Sequence, residues 1–467
     1  MSPYHIEPNS LLLALRTARH LRPSQVYGRL LYYAYRPRVN MAPAPPLRLP
    51  GRRWHPCPRP PAMLAPHRFR FLSIERDVTR PADWNRADVP KLWLYHLHYF
   101  DDLVADGALA RRPWHERLIQ RWMDENPPTR GIGWEPYPTS LRIVNWIQYA
   151  LCANQLSQAV LHSLAVQARW LEKRMEFHLL GNHLWSNAKA LVFAGAFFNG
   201  READELLNRG LAILRKQLVE QILPDGGHFE RSPMYHSVVL TDLIDLIQLA
   251  ETYSGVFQEL DVFAWRAAAG KMLRWLRIMT HPDGGIAFFN DAALDAAPDY
   301  ATLSRHASSF GVIEPIACGS TTTGLHPLPE SGYVRLERGQ AVVIADVGEI
   351  GPLYQPGHAH ADTLSFELSL HGSRVIVNGG TSTYEVGPER IQQRGTASHN
   401  TVVVNEKDSS EVWASFRVAR RARPRSVCWW SDNNSLCLDA AHDGYRRLKR
   451  GAIHVRRKRH TGNSLAG

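Results

Sequence analysis

The sequence predicts a large helical domain followed by an antiparallel β-sandwich, and three observations carry that prediction. Apolar residues recur at three- and four-residue spacing from about residue 114 to 280. After about residue 330 the period changes to two, in short runs rich in valine and isoleucine with turn residues between them. No strand pattern interrupts the helical stretch, which implies a bundle, solenoid or toroid. At 467 residues the chain exceeds one small core and should form two domains or three.

In chain order, residues 1–70 form a basic segment with 12 arginines against a single acid, Glu7. Its stretch 40–66 is rich in proline and arginine and reads as an extended linker or wrapping arm. Helices are expected in LRIVNWIQYALCA, AVLHSLAVQARWLEKRMEFHLL, HLWSNAKALVFAGAFF, SVVLTDLIDLIQLAETY and WRAAAGKMLRWLRIM. Gly200 and the Pro-Asp-Gly runs at 224–226 and 282–284 punctuate them. Strands are expected in YVRLERG, AVVIADVG, TLSFELSLHG, SRVIVNGG, NTVVVNE, SLCLDAAHDG and AIHVRRKR, the spacing of a sandwich. The domains are placed at 71–325 (helical) and 326–467 (sandwich). The last strand runs nearly to Gly467 with no closing hairpin, so the sandwich is expected to be incomplete there.

An apolar fraction of 44% with 14 Trp, 16 Tyr and 15 Phe excludes a disordered chain. No run approaches the roughly 18 apolar residues of a membrane span. An apolar patch at Leu11–Leu15 precedes its arginines instead of following them, so no signal peptide is read. Five scattered cysteines, Cys57, Cys152, Cys318, Cys428 and Cys437, lack the spacing of a disulfide framework or a metal site. Cys428 and Cys437 read as small buried core residues more readily than as a pair across a hairpin. The net charge of +11 resides in the ends: residues 417–460 carry 13 lysines and arginines against three acids. The net-acidic middle holds every candidate functional residue, so the basic balance does not describe their surroundings. No module or basic helix with interleaved aromatics suggests a nucleic-acid partner.

Polar residues bunch in four places at segment ends, where a scaffold presents side chains. They are Gly181–Asn187, Glu230–His236, Gly357–Asp362 and Ser398–Thr401. Asn182 alone would serve equally as a helix cap, and Tyr235 alone as a core tyrosine. His358-x-His360-x-Asp362 is harder to read as packing: in extended backbone all three share a face, and three titratable groups are costly to bury without partners. Two histidines with a third ligand would suit zinc; histidine with tyrosine would suit acid–base chemistry. Glu230 with Asp283 or Asp291 would instead supply a glycosidase pair, although Asp225 and Asp283 sit in turns that favour aspartate anyway.

LWLYHLHYFDDL, WEPYPTSLRIVNW, GNHLWSNAKALVFAGAFF, DGGHFERSPMYHSVVLTDLIDL, GHAHADTLSFELS and SHNTVVVNEKDSSEVWASFRV occur in that order between 92 and 418. In these segments the chain resembles the heparinase II/III-like polysaccharide lyases, in particular a branch beside bacterial exopolysaccharide genes. The resemblance implies an incomplete N-terminal α/α toroid, a C-terminal β-sandwich, and β-elimination on an acidic, uronate-containing polysaccharide. It implies Asn182 as the carboxylate-binding residue, Tyr235 as acid and base, His358 as base, and His399 as a second site histidine. Asn187, Glu230, Arg231 and Asn400 fall beside these as substrate-binding residues, and Trp134, Tyr137 and Trp185 as rings for sugar faces. No cofactor is required. A structural zinc in relatives implies His360, His399 and Asn378 as its ligands, with Asn378 standing where those relatives carry aspartate; neutral asparagine is the weaker ligand. The resemblance also implies a periplasmic or envelope setting. A glycoside hydrolase and a non-catalytic glycan-binding protein are the alternatives.

Overall fold

The computed structural model describes residues 8–294, 296–315, 324–432, 435–461 and 464–466. A helical region precedes antiparallel sheets, in the order the two periodicities predict. The chain divides into two compact units.

The first unit comprises Pro23–Leu218 and Asp242–Trp265. Among its helices are Lys91–Tyr99, Arg112–Glu125, Pro136–Leu151, Gln158–Lys173 and Gly181–Phe197. All of Gly181–Phe197 except His183 is buried, because a helix apolar on every side has no face to give to water. Its one buried cation, Lys189, is compensated by Asp242 and Asp245 at 2.5 and 2.6 Å. A Cβ on Gly195 would lie 2.5 Å from the Leu207 nitrogen, so glycine permits that close helix approach. The Pro/Arg-rich arm wraps this unit. Trp54 and Cys57 are buried, and the arm bonds to Phe197 O, Leu151 O and Thr252 O through the nitrogens of Arg48, Trp54 and Gly51. A small antiparallel sheet, Met63–Ala65, Arg68–Phe71 and Ile74–Asp77, was not expected from its short runs. His98 has the packing role suggested by its setting, with Nε2 on Trp84 O and Nδ1 accepting from Trp122.

The second unit comprises Met1–Arg22, Val219–Thr241 and Arg266–Gly467. Its five-stranded antiparallel sheet runs Leu325–Leu328, Tyr333–Arg338, Ala341–Asp346, Phe366–Leu370, Ser373–Ile376. A four-stranded sheet runs Pro424–Ser431, Ser435–His442, His454–Thr461, Ser464–Ala466. Val334, Leu336, Val343, Ala345 and Leu368 share one core with Leu436, Leu438 and Ala440, so the sheets face each other as a sandwich. The alternate residues Tyr333, Val342 and Ile344 pack on Trp275, Ile278 and Met279. Burial on both faces accounts for the near-continuous apolar run AVVIA.

Three local readings change. TVVV at 401–404 forms no strand; Val402 and Val403 are exposed, and only Val404 bridges to Lys407. The strand Pro424–Ser431 and the short helix Pro388–Arg394 carry no clear period in sequence. Cys437 is buried as expected, whereas Cys428 is exposed on the neighbouring strand and not disulfide-linked. Cys318 lies outside the described residues.

Candidate functional site

In the second unit, four loops and helix ends converge on one carboxylate. Asp291 is fully buried, and its oxygens accept from Arg390 Nη1 and Nη2, His358 Nδ1 at 2.9 Å, His360 Nε2 at 2.8 Å and Thr381 Oγ1 at 2.8 Å. Burial alone would raise its pKa. The hydrogen bonds from both histidines and the Arg390 charge outweigh that and hold the carboxyl well below its usual range. Its backbone nitrogen bonds to His358 O, tying the two loops together. The loop residues Arg231 and Asn290 both have positive φ, at 61° and 58°. Non-glycine residues rarely adopt this backbone, and here it flanks Glu230 and Asp291.

His358 lies between two carboxylates, with Nδ1 on Asp291 and Nε2 3.5 Å from Glu230 Oε2. Its ring is 3.8 Å from that of Tyr235, centroid to centroid. Tyr235 opens the helix Pro233–Thr252, where Ser232 Oγ accepts from its backbone nitrogen. Its hydroxyl is 3.1 Å from that of Tyr384. Tyr384 stacks on Phe416 and lies 5.0 Å from the Arg390 guanidinium. Burial and then Asp291 hold the Tyr384 hydroxyl well above the ordinary tyrosine value, so it stays protonated. An imidazole oriented at one nitrogen, beside a phenol, is equipped to move a proton at each of two neighbouring atoms.

The triplet divides. Ala359 and Ala361 enter an apolar cluster with Val412 and Val418, while His358 and His360 both reach Asp291. Asp362 instead faces Asn290 N and shares a buried region with Asp346. Burial raises the pKa of Asp362 to about 7.

His399 is 5.2 Å from His360, ring to ring, and its Nδ1 is 3.2 Å from Asn378 Oδ1. Burial and His360 hold His399 well below the usual imidazole pKa, so its ring is neutral. His360 Nδ1 and His399 Nε2 have no hydrogen-bond partner among the described residues. Two imidazole nitrogens are thus available, as a zinc site requires. The third expected ligand, Asn378, has its Oδ1 accepting from His399 and from Asn400 N. No third His, Cys, Asp or Glu joins the pair among the described residues. The set falls short of a structural zinc site.

The remaining sequence candidates are placed as follows. Arg231 reaches the carbonyls of Glu349 and Glu330. Asn400 ties Phe366 O to Val377 O through its Nδ2. In the helical unit, Leu180 and Gly181 have φ of 64° and 53°, a turn that glycine eases, and Asn182 follows at the helix start. Asn182 Oδ1 makes no capping bond and has no partner among the described residues. Asn187 is satisfied by Ser140, Glu176 Oε2 and Glu176 N. Tyr137 lies 4.4 Å from the His183 ring, itself paired with Glu176. Trp134 and Trp185 are only 4% and 1% exposed and serve as packing residues, contrary to the expectation that they face sugar. Sequence reasoning did not single out Arg390 and Tyr384. A usable signal was Arg390 and Arg394, four apart on one face of a short helix and both buried.

Residues 109–311 match the family model described as Heparinase II/III N-terminus, and residues 320–467 the model described as Heparinase II/III-like, C-terminal. A heparin-sulfate lyase of Bacteroides stercoris is 25% identical over 289 residues, covering 58% of this chain and 41% of that protein. FtsZ-localized protein C of Caulobacter vibrioides is 27% identical over 397 residues, covering 80% and 64%. The chain thus spans 41% and 64% of the length of these two relatives. The crystal structure of heparinase III superposes with a TM-score of 0.65 at 20% identity, over 97% of this chain and 72% of that one. Heparan sulfate lyase HepC from Pedobacter heparinus gives 0.52 at 18%, over 94% and 72%. At these identities the structural likeness speaks to the fold.

Proposed function

The chain belongs to the heparinase II/III-like family, and from that premise we propose that it cleaves a uronate-containing acidic polysaccharide by β-elimination. The observation that carries the reading is the contact between Tyr235 and His358, with His358 Nδ1 anchored on Asp291. In this reaction the C5–H bond breaks, its electrons form the C4–C5 double bond, and the C4–oxygen bond breaks. His358 Nε2 accepts the C5 proton and the Tyr235 hydroxyl protonates the departing O4. A uronate carboxylate disfavours loss of the C5 proton until hydrogen bonds relieve its charge. For Asn182 the proposal is that hydrogen-bonding role, with its Nδ2 donating to the carboxylate.

The glycosidase reading loses support at Asp291. A carboxylate bound by a buried arginine and two histidines, well below its usual pKa, is unavailable as general acid or base. Asp283 is committed to Arg374 and to its own turn at Gly285 N. The likeness to FtsZ-localized protein C, whose name gives a location and no lyase activity, keeps one further reading in view, a family member that binds a glycan without turnover. Incubation with a panel of uronate polymers separates these. An unsaturated product absorbing in the far ultraviolet, lost in Tyr235→Phe and His358→Ala, supports elimination. Reducing ends without the double bond, or binding without product, rejects it.

A further inference from the structure

The two basic ends of the chain meet in the second unit, away from Asp291. The helix Pro8–Ala18 docks on the hairpin Val412–Val418: Trp413 Nε1 donates to Thr17 Oγ1 at 3.0 Å, and Arg16 pairs with Glu411 at 3.3 Å. Immediately after that helix, Arg19 borders a cavity of about 450 Å³. Arg420, Arg421 and Arg423 line it from one segment, and Arg446 and Arg447 from the turn Gly444–Arg447. Only two carboxylates, Glu349 and Asp443, line it as well. Neither Tyr235, His358 nor Asp291 contributes to its wall.

Of the nearby negative charge, Asp443 and Glu411 are already committed, and Glu349 acts on Arg421 without a hydrogen bond to its Nε or Nη1. Asp443 binds Arg425 and Arg423 N. Glu411, outside the wall, is shared by Arg16, Arg420 and Arg447. Arg447 spends its other nitrogens on the carbonyls of Ser409, Gly444 and Asp408. Arg421 is different. Its Nε and Nη1 are buried with no hydrogen-bond partner among the described residues. Burial lowers its pKa to about 10, with the Glu349 charge opposing that effect and Arg19 and Arg423 adding to it. Burial with these same arginines pushes His20 in the same wall down to about 4. Burying a guanidinium without an acceptor is costly unless a ligand supplies one.

We propose that this cavity binds a small polyanion bearing phosphate or sulfate oxygens, with Arg421 as the central fork and Arg19, Arg423 and Arg446 around it. Guanidinium presents paired donors that match tetrahedral oxyanions. Six arginines against two carboxylates leave a surplus that one uronate carboxylate would not neutralise. A half-open pocket of this size suits a discrete ligand and not a duplex or a lipid surface.

Calorimetric titration tests this with pyrophosphate as a free phosphorylated probe and a sulfated disaccharide as a glycan-derived one. One saturable site per chain is expected for at least one probe, and the tighter of the two identifies the source. Arg421→Gln should weaken it about tenfold or more, as loss of a charge-assisted hydrogen bond does. Arg423→Gln should weaken it less, and Arg457→Gln, paired with Asp439 on the sheet, should leave it unchanged. Without ligand, Arg421→Gln should melt no lower than the parent, because it removes a buried guanidinium whose Nε and Nη1 have no acceptor among the described residues. Absence of binding by both probes, equal loss in Arg457→Gln, or a lower melting temperature of unliganded Arg421→Gln would overturn the proposal.

Discussion

Replacing Asp291 with asparagine removes the carboxylate that binds the buried Arg390, and replaces an acceptor of five hydrogen bonds with a group that is half donor. Removing one member of a buried ion pair costs about 3–5 kcal/mol, because the other charge is stranded. Taking ~4 kcal/mol, and ~2–4 °C per kcal/mol for a unit of this size, the melting temperature should fall by roughly 8–16 °C. Arg390→Met strands the opposite charge and should cost a similar amount. The double variant strands neither, so its loss should be smaller than the two single losses combined by at least ~2 kcal/mol. The assay is urea unfolding of all four proteins, followed by fluorescence and circular dichroism. On the proposed reaction, Asp291→Asn should also lower kcat by about 100-fold or more with little change in KM, since it releases His358 Nδ1. Additivity of the two substitutions within ~0.5 kcal/mol would refute the claim that Asp291 and Arg390 act as a unit.

Tyr384→Phe removes the hydroxyl 3.1 Å from that of Tyr235; kcat should fall by roughly tenfold while KM and melting temperature hold, as for loss of one hydrogen bond, and an unchanged kcat would remove Tyr384 from the site. His442 and His454 form a buried pair at 3.1 Å, in which His442 Nδ1 accepts from Gly444 N. His442 Nε2 therefore donates to His454 Nδ1, and both rings must be neutral. Burial lowers each pKa to about 4, with His454 adding to the effect on His442 and Arg456 to that on His454. Folded values below the ordinary 6.5 mean that the unfolded chain takes up protons first, so this stability is complete above about pH 6.5 and is lost as pH falls towards 4. The slope reaches at most ~1.4 kcal/mol per pH unit for one histidine. The difference in melting temperature between parent and His442→Gln/His454→Gln should shift across that window; a flat difference would show that the pair does not titrate. Asn378→Asp should raise zinc affinity at His360 and His399 by at least tenfold in a competitive chelator titration, and equal affinity in both proteins would show that Asn378 does not limit the site.

The change of period near residue 330, the Pro-Asp-Gly turns and the alternation in YVRLER and AVVIAD specified the helical region, the antiparallel sheets and the residues facing the core. Such patterns are local, because each side chain's direction follows from its position on a helix or strand. Resemblance drew attention to Tyr235 and His358, and turn chemistry to Asp225 and Asp283, whereas nothing local marked Asp291 as the residue on which the site converges. Asp225 and Asp283 hold turns, at Gly227 N and Gly285 N. Asp291 binds residues 67 to 99 positions away. Tertiary structure alone supplied those partners, since long-range contacts leave no period to read. The charge surplus was likewise visible as a sum. Its meaning depended on distance and burial, which brought Arg19 beside Arg421 and left two buried guanidinium nitrogens without an acceptor among the described residues.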